Sequence, residues 1–114
     1  MVVGFHLIVD FHTVSTSILM TVRPMRKILE EGVRRGNLTK ISSSYHQFQP
    51  YGVSGIILLA ESHLSVHTFP ESGLVTMDVY SCGEDAEERV KNTVNYILGE
   101  MGGVVSLWKE VERG

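Results

Sequence analysis

From Val3 to His12 the chain alternates, with Phe5, Leu7, Val9 and Phe11 on one side and His6, Ile8, Asp10 and His12 on the other. Period two with one strongly apolar side predicts a β-strand. The period then changes: Ile18, Val22, Met25, Leu29 and Val33 recur at helical spacing, with basic residues near the end and Gly36 as a stop. Pro24 is expected to kink this helix or to mark the first turn of its main part. Leu38 to Phe48 is rich in β-branched residues, serine and aromatics and reads as a second strand, closed by the turn residues Pro50-Tyr51-Gly52. Further strands are predicted at Val53 to Ala60, Leu64 to Phe69 and Leu74 to Cys82. A second helix follows Cys82-Gly83, with Val90, Val94, Ile97 and Met101 as its buried stripe and Gly102-Gly103 at its end. Val104 to Val111 is the last strand.

The order is therefore β-α-β-β-β-β-α-β. The four middle strands are joined by turns too short for parallel crossovers, so antiparallel pairing is expected. Two helices on one face of an antiparallel sheet make an α+β fold, a two-layer α/β sandwich. The helices can cover only one face. Ile8, Ile56 and Leu58 fall on the other beside polar groups, so that face is expected to meet a second copy of the chain.

The 114 residues fit a single domain, 1–114, large enough to form a core without disulfides. Apolar runs such as Ile56-Ile57-Leu58-Leu59-Ala60 are too short to span a bilayer, and the N-terminal residues do not read as a signal peptide. A formal charge of -3 offers no basic footprint for nucleic acid. One cysteine, Cys82, excludes an intrachain disulfide framework and suits a cytoplasmic protein.

Reactive groups concentrate in Glu61-Ser62-His63-Leu64-Ser65-Val66-His67-Thr68-Phe69-Pro70-Glu71. On a strand from Leu64, residues His63, Ser65, His67 and Phe69 share the face opposite Leu64 and Val66. Imidazoles beside hydroxyls are the material of acid-base work near a serine, although any polar strand edge alternates in the same way. Cys82, between a strand end and a helix start, is placed where helix N–H groups would favour a thiolate; buried cysteines are also common as inert small hydrophobes. Tyr45, Phe48 and Phe69 fit either a core or a platform for a flat ligand. No histidine spacing matches a known metal-ligand set, so no metal is expected.

Three stretches strongly resemble the prokaryotic S-adenosylmethionine decarboxylases. They are Ser44-Tyr45-His46-Gln47-Phe48-Gln49-Pro50-Tyr51-Gly52-Val53-Ser54-Gly55, Leu59-Ala60 with the cluster above, and Met77-Asp78-Val79-Tyr80-Ser81-Cys82-Gly83-Glu84. The ends, Gly4-Phe5-His6-Leu7 and Glu110-Val111-Glu112-Arg113-Gly114, are similar too, so the resemblance covers nearly the whole chain.

The resemblance implies a proenzyme that cuts itself between Glu61 and Ser62, giving chains 1–61 and 62–114, the second capped by a pyruvoyl group made from Ser62. That group would form a Schiff base with the substrate amine and accept electrons as carbon dioxide leaves, in place of a separately bound cofactor. The resemblance further makes His67 the acid-base group of processing, Ser54 its hydrogen-bonding support, and Cys82 the proton donor in decarboxylation. Phe48 and Phe69 would hold adenine and Glu71 the ribose hydroxyls of S-adenosylmethionine. The product would be the aminopropyl donor for spermidine and other polyamines. A homodimer is also implied. Many relatives have tryptophan where this chain has Phe69, which stacks with less area. Two alternatives remain open: a pyruvoyl-dependent arginine or ornithine decarboxylase, for which Asp10, Asp78 and Glu71 are the available acids, and a non-processing ligand-binding paralogue.

Overall fold

The protein is described by a computed structural model covering residues 3–114. Its elements are β1 (Gly4–His12), α1 (Val22–Arg35), β2 (Lys40–Gln47), β3 (Val53–Leu59), β4 (Ser62–Phe69), β5 (Leu74–Cys82), α2 (Ala86–Met101) and β6 (Val104–Arg113). The strands form one antiparallel sheet in the order β2-β3-β4-β5-β1-β6. Both helices lie on one face, as the alternation predicts. No helix among the described residues is long and apolar enough to cross a membrane.

The boundaries differ from the sequence reading where turn chemistry competes with periodicity. The run from Ile18 to Val33 is not one helix: a short 3-10 turn at Thr16–Leu19 precedes α1. Pro24 is the third residue of α1, inside the first turn, where its missing N–H would have had no intrahelical partner. β4 begins at Ser62, two residues before the predicted start, leaving only Ala60 and Glu61 as the turn from β3. This extension decides the geometry of the site.

Leu7, Val9, Phe11, Ile57, Leu64, Val66 and Val79 point from the sheet onto Met25, Leu29, Val90, Val94 and Ile97 of the helices, all of them buried. Burying each such side chain stabilises the fold by about 1.5–3 kcal/mol relative to exposure. The helices approach closely because Gly36 has no side chain; a Cβ there would sit 1.8 Å from Oγ1 of Thr93. On the uncovered face Ile56 and Leu58 are each 48% exposed, so an apolar surface beside polar groups is where the sequence placed it.

One polar contact fastens α1 to the edge strand β2. Glu30 accepts hydrogen bonds from Lys40 Nζ (2.6 Å), Ser43 Oγ (2.9 Å) and Tyr45 Oη (2.9 Å). Burial opposes ionisation of this carboxylate, but the three donors outweigh it and bring its pKa down to about 2. A depressed carboxylate pKa stabilises the fold above the unfolded value, and that contribution disappears as pH falls towards the folded value. Glu30→Gln should therefore lower stability at pH 7 by about 1–2 kcal/mol, discounted for partial solvent access. Thermal melts of both proteins at a series of pH values should show the gap closing from pH 4.5 towards pH 2.

Candidate functional site

Two of the residues singled out above meet where β4 begins. The Ala60–Glu61 turn delivers the chain into β4 at Ser62, whose φ is 129°. An L residue with a side chain rarely adopts that conformation, and holding it costs on the order of 1–3 kcal/mol. Regular alternation would send Ser62 to the helix side with Leu64 and Val66. Instead its hydroxyl lies 3.7 Å from Sγ of Cys82, on the side that carries Asp78 and Tyr80. Sγ of Cys82 in turn lies 3.6 Å from the hydroxyl of Tyr80.

Cys82 is the last residue of β5, and α2 does not begin until Ala86. The expectation that helix N–H groups surround its thiol is therefore corrected: its partners among the described residues are the two hydroxyls. Three residues of loop separate the strand end from the helix.

The remaining site residues gather elsewhere. Ser54 on β3 and His67 on β4 are register partners, with Ser54 Oγ and His67 Nδ1 2.7 Å apart. When the hydroxyl donates to Nδ1, Nε2 carries the ring proton and remains free to exchange it. Beside them is a cleft of about 340 Å³ lined by Phe48, Tyr51, His67, Phe69 and Glu71. Phe48 is 46% and Phe69 40% exposed, so neither ring is core. Thr68 secures the strand beneath: its hydroxyl donates to the carbonyl of Leu19 (2.7 Å) and accepts from the N–H of Val53 (2.9 Å).

His67 does not lie near the predicted cleavage point. With β4 extended from Ser62 onward, His67 is five positions along the strand, roughly 16 Å away at the usual rise per residue. The strand predicted from Leu64 begins instead at Ser62, so the spacing to His67 is that of a regular strand. Ser62 and Cys82 stand at one end of the sheet face; Ser54, His67, Phe48, Phe69 and Glu71 stand at the other.

Between them lies a network that sequence reasoning did not assemble. Nε2 of His6 and Nε2 of His63 reach the same oxygen of Asp78, at 2.7 and 2.8 Å, and Ser65 donates to its other oxygen. Burial opposes ionisation of Asp78, but these donors outweigh it and hold its carboxyl below the usual range. Arg113 donates to Nδ1 of His6 at 3.0 Å. A guanidinium has no lone pair to offer, so that Nδ1 is an acceptor and Nε2 carries the proton given to Asp78. The ligand atoms of His6, His63 and Asp78 lie within 4.8 Å of one another, and hydrogen bonds from both imidazoles to Asp78 join them. Alternation alone could have put Asp78 and His63 on one face; only the pairing of β1 with β5 brings His6 to them.

Comparison with known proteins bears on the family and the fold. The family model for S-adenosylmethionine decarboxylase matches residues 5–114. An S-adenosylmethionine decarboxylase proenzyme of Thermoplasma volcanium is 45% identical over 112 residues, covering 98% of this chain and 85% of that protein. One from Aquifex aeolicus is 45% identical over 98 residues, covering 86% of this chain and 71% of that protein. The crystal structure of the adenosylmethionine decarboxylase from Aquifex aeolicus superposes with a TM-score of 0.92 at 40% identity, covering 99% of this chain and 92% of that one. With the family model matching residues 5–114 and relatives 45% identical over most of its length, this chain belongs to the S-adenosylmethionine decarboxylase family.

Proposed function

We propose that residues 1–114 act as one self-processing domain, a pyruvoyl-dependent decarboxylase of S-adenosylmethionine whose product serves as the aminopropyl donor in polyamine synthesis. The observation that carries this reading is the strained Ser62 immediately after the Ala60–Glu61 turn, its hydroxyl turned to the chain's one thiol. Strain at that peptide favours a reaction that releases it. The Ser62 hydroxyl attacks the carbonyl carbon of Glu61, and the peptide bond becomes an ester. A base removes the α-proton of residue 62, the Cβ–O bond breaks, and Glu61 leaves as a carboxylate carrying the former serine oxygen. Tautomerisation and attack by water then expel ammonia and leave the pyruvoyl terminus on chain 62–114.

The residues present fit that group, because Ser62 supplies its carbons and Cys82 stands beside them. The pyruvoyl carbonyl supplies the electron sink that lets carbon dioxide leave. Cys82 holds the proton that the substrate α-carbon receives afterwards. Phe48 and Phe69 offer two half-exposed ring faces for adenine, and Glu71 offers a carboxylate that accepts two ribose hydroxyls. Asp78, a candidate partner for a basic side chain, is already engaged by His6, His63 and Ser65. The gathering of Phe48, Phe69 and Glu71 around one cleft favours the nucleoside substrate over arginine or ornithine. The free thiol of Cys82 suits a reducing, cytoplasmic setting.

With about 16 Å between Ser62 and His67, one copy cannot bring both to one bond. A two-fold pair packed through the uncovered sheet faces would bury Ile56 and Leu58, and it allows the His67 end of one copy to meet the Ser62 end of the other. Each site then takes Ser62 and Cys82 from one copy and Ser54, His67, Phe48, Phe69 and Glu71 from its partner.

Co-expression tests this assignment. Ser62→Ala and His67→Ala, made separately, should each give uncut chains. Made together, they form mixed dimers with one complete site, in which the His67→Ala chain should be cut while the Ser62→Ala chain stays whole. Mixed dimers in which neither chain is cut would place the site within one copy. Cys82→Ala should process to near completion, yet release carbon dioxide from carboxyl-labelled S-adenosylmethionine at least about 100-fold more slowly.

A further inference from the structure

The thiol of Cys82 has two hydroxyl neighbours, and on the reading above one of them does not survive. The Ser62 oxygen departs with Glu61 during processing, which leaves the phenol of Tyr80 as the remaining side-chain partner of Sγ among the described residues. We propose that Tyr80 is a positioning residue of the mature enzyme, fixing the Cys82 thiol towards the group that Ser62 becomes. The proposal rests on Cys82 being the proton donor.

The surroundings of Tyr80 are built to hold it there. It is paired directly with His6 on β1 and with His63 on β4, and its ring centroid lies 5.2 Å from that of His6 and 6.3 Å from that of His63. The Arg113 guanidinium lies 5.2 Å from the Tyr80 ring centroid, where a cation is attracted to the aromatic face. These three neighbours belong to the Asp78 network, which thereby acquires a purpose: it forms the wall of the phenol.

Gly4 provides an independent sign. It is the register partner of Cys82, and a Cβ at this position would lie 2.8 Å from Cε1 and 2.9 Å from the hydroxyl of Tyr80. The ring therefore lies across β1 at the point where the chain has no side chain, and its hydroxyl extends over the thiol. Left alone, a cysteine side chain can occupy three staggered χ1 wells. The contact with the phenol selects one. Proton delivery to carbon depends on such aim, because a misplacement of about 1 Å can cost about 100-fold in rate.

Tyr80→Phe keeps the ring and removes only the hydroxyl. Self-cleavage should proceed, KM for S-adenosylmethionine should stay near the wild-type value, and kcat should fall about 10- to 100-fold. The second readout needs no turnover. Cys82 is the only cysteine, so the S–H stretching band in the infrared belongs to it alone. In uncut Ser62→Ala protein that band should sit at the lowered frequency of a hydrogen-bonded thiol, and adding Tyr80→Phe should move it up to that of a free one. An unchanged band together with wild-type kcat in Tyr80→Phe would overturn the role of Tyr80 while leaving Cys82 in place. Full turnover by Cys82→Ala would instead remove the proton donor, and the proposal with it.

Discussion

The pairing of β4 between β3 and β5 is the constraint on which the rest of the molecule depends. Because hydrogen bonds on both sides fix its register, residues 64, 66 and 68 must enter the core while 63, 65, 67 and 69 must face away from the helices. A slip of one position would bury two imidazoles and expose Leu64 and Val66. The same rigid register sets the distance from Ser62 to His67 along the strand. One strand thus determines the core, the composition of the outer face and the separation of Ser62 from His67.

Departure from that regularity occurs at the residue where chemistry is proposed. Ser62 is bonded into the sheet yet carries a backbone conformation that disfavours side chains, and this turns its hydroxyl to Cys82. A fold that tolerates strain at one peptide must be held firmly on both sides of it. Buried Leu59 and Leu64 do this from within the core, and the N–H of Ala60 does so by donating to the carbonyl of Thr39 at 2.9 Å. Cleavage there would relax the strain without dismantling the sheet, since β3 and β4 remain paired from Ser54 to Leu59.

Most of the architecture was legible because the alternation is clean. Phe5, Leu7, Val9 and Phe11 announce both a strand and its buried side, and the short turns of the middle strands leave little choice but antiparallel neighbours. Ser54 and His67 could be placed on adjacent strands for the same reason. What could not be read came from pairings distant in sequence and from a backbone angle. His6 and Arg113 come from opposite ends of the chain, and only the central position of β1 between β5 and β6 brings both to Tyr80. A helix directly after Cys82-Gly83 is what the sequence predicts, whereas α2 begins at Ala86 and two hydroxyls neighbour the thiol. The distance between Ser62 and His67 was hidden by a strand start misplaced by two residues.

The central claim is that this chain cuts itself at Glu61–Ser62 and converts the new terminus. The intact mass of the purified protein under denaturing conditions tests it most directly. Two chains, 1–61 and 62–114, should appear, with masses that sum to the precursor plus one water minus one ammonia. A single chain of precursor mass that persists on prolonged incubation would contradict the account, as would a second chain that still begins with an unmodified serine.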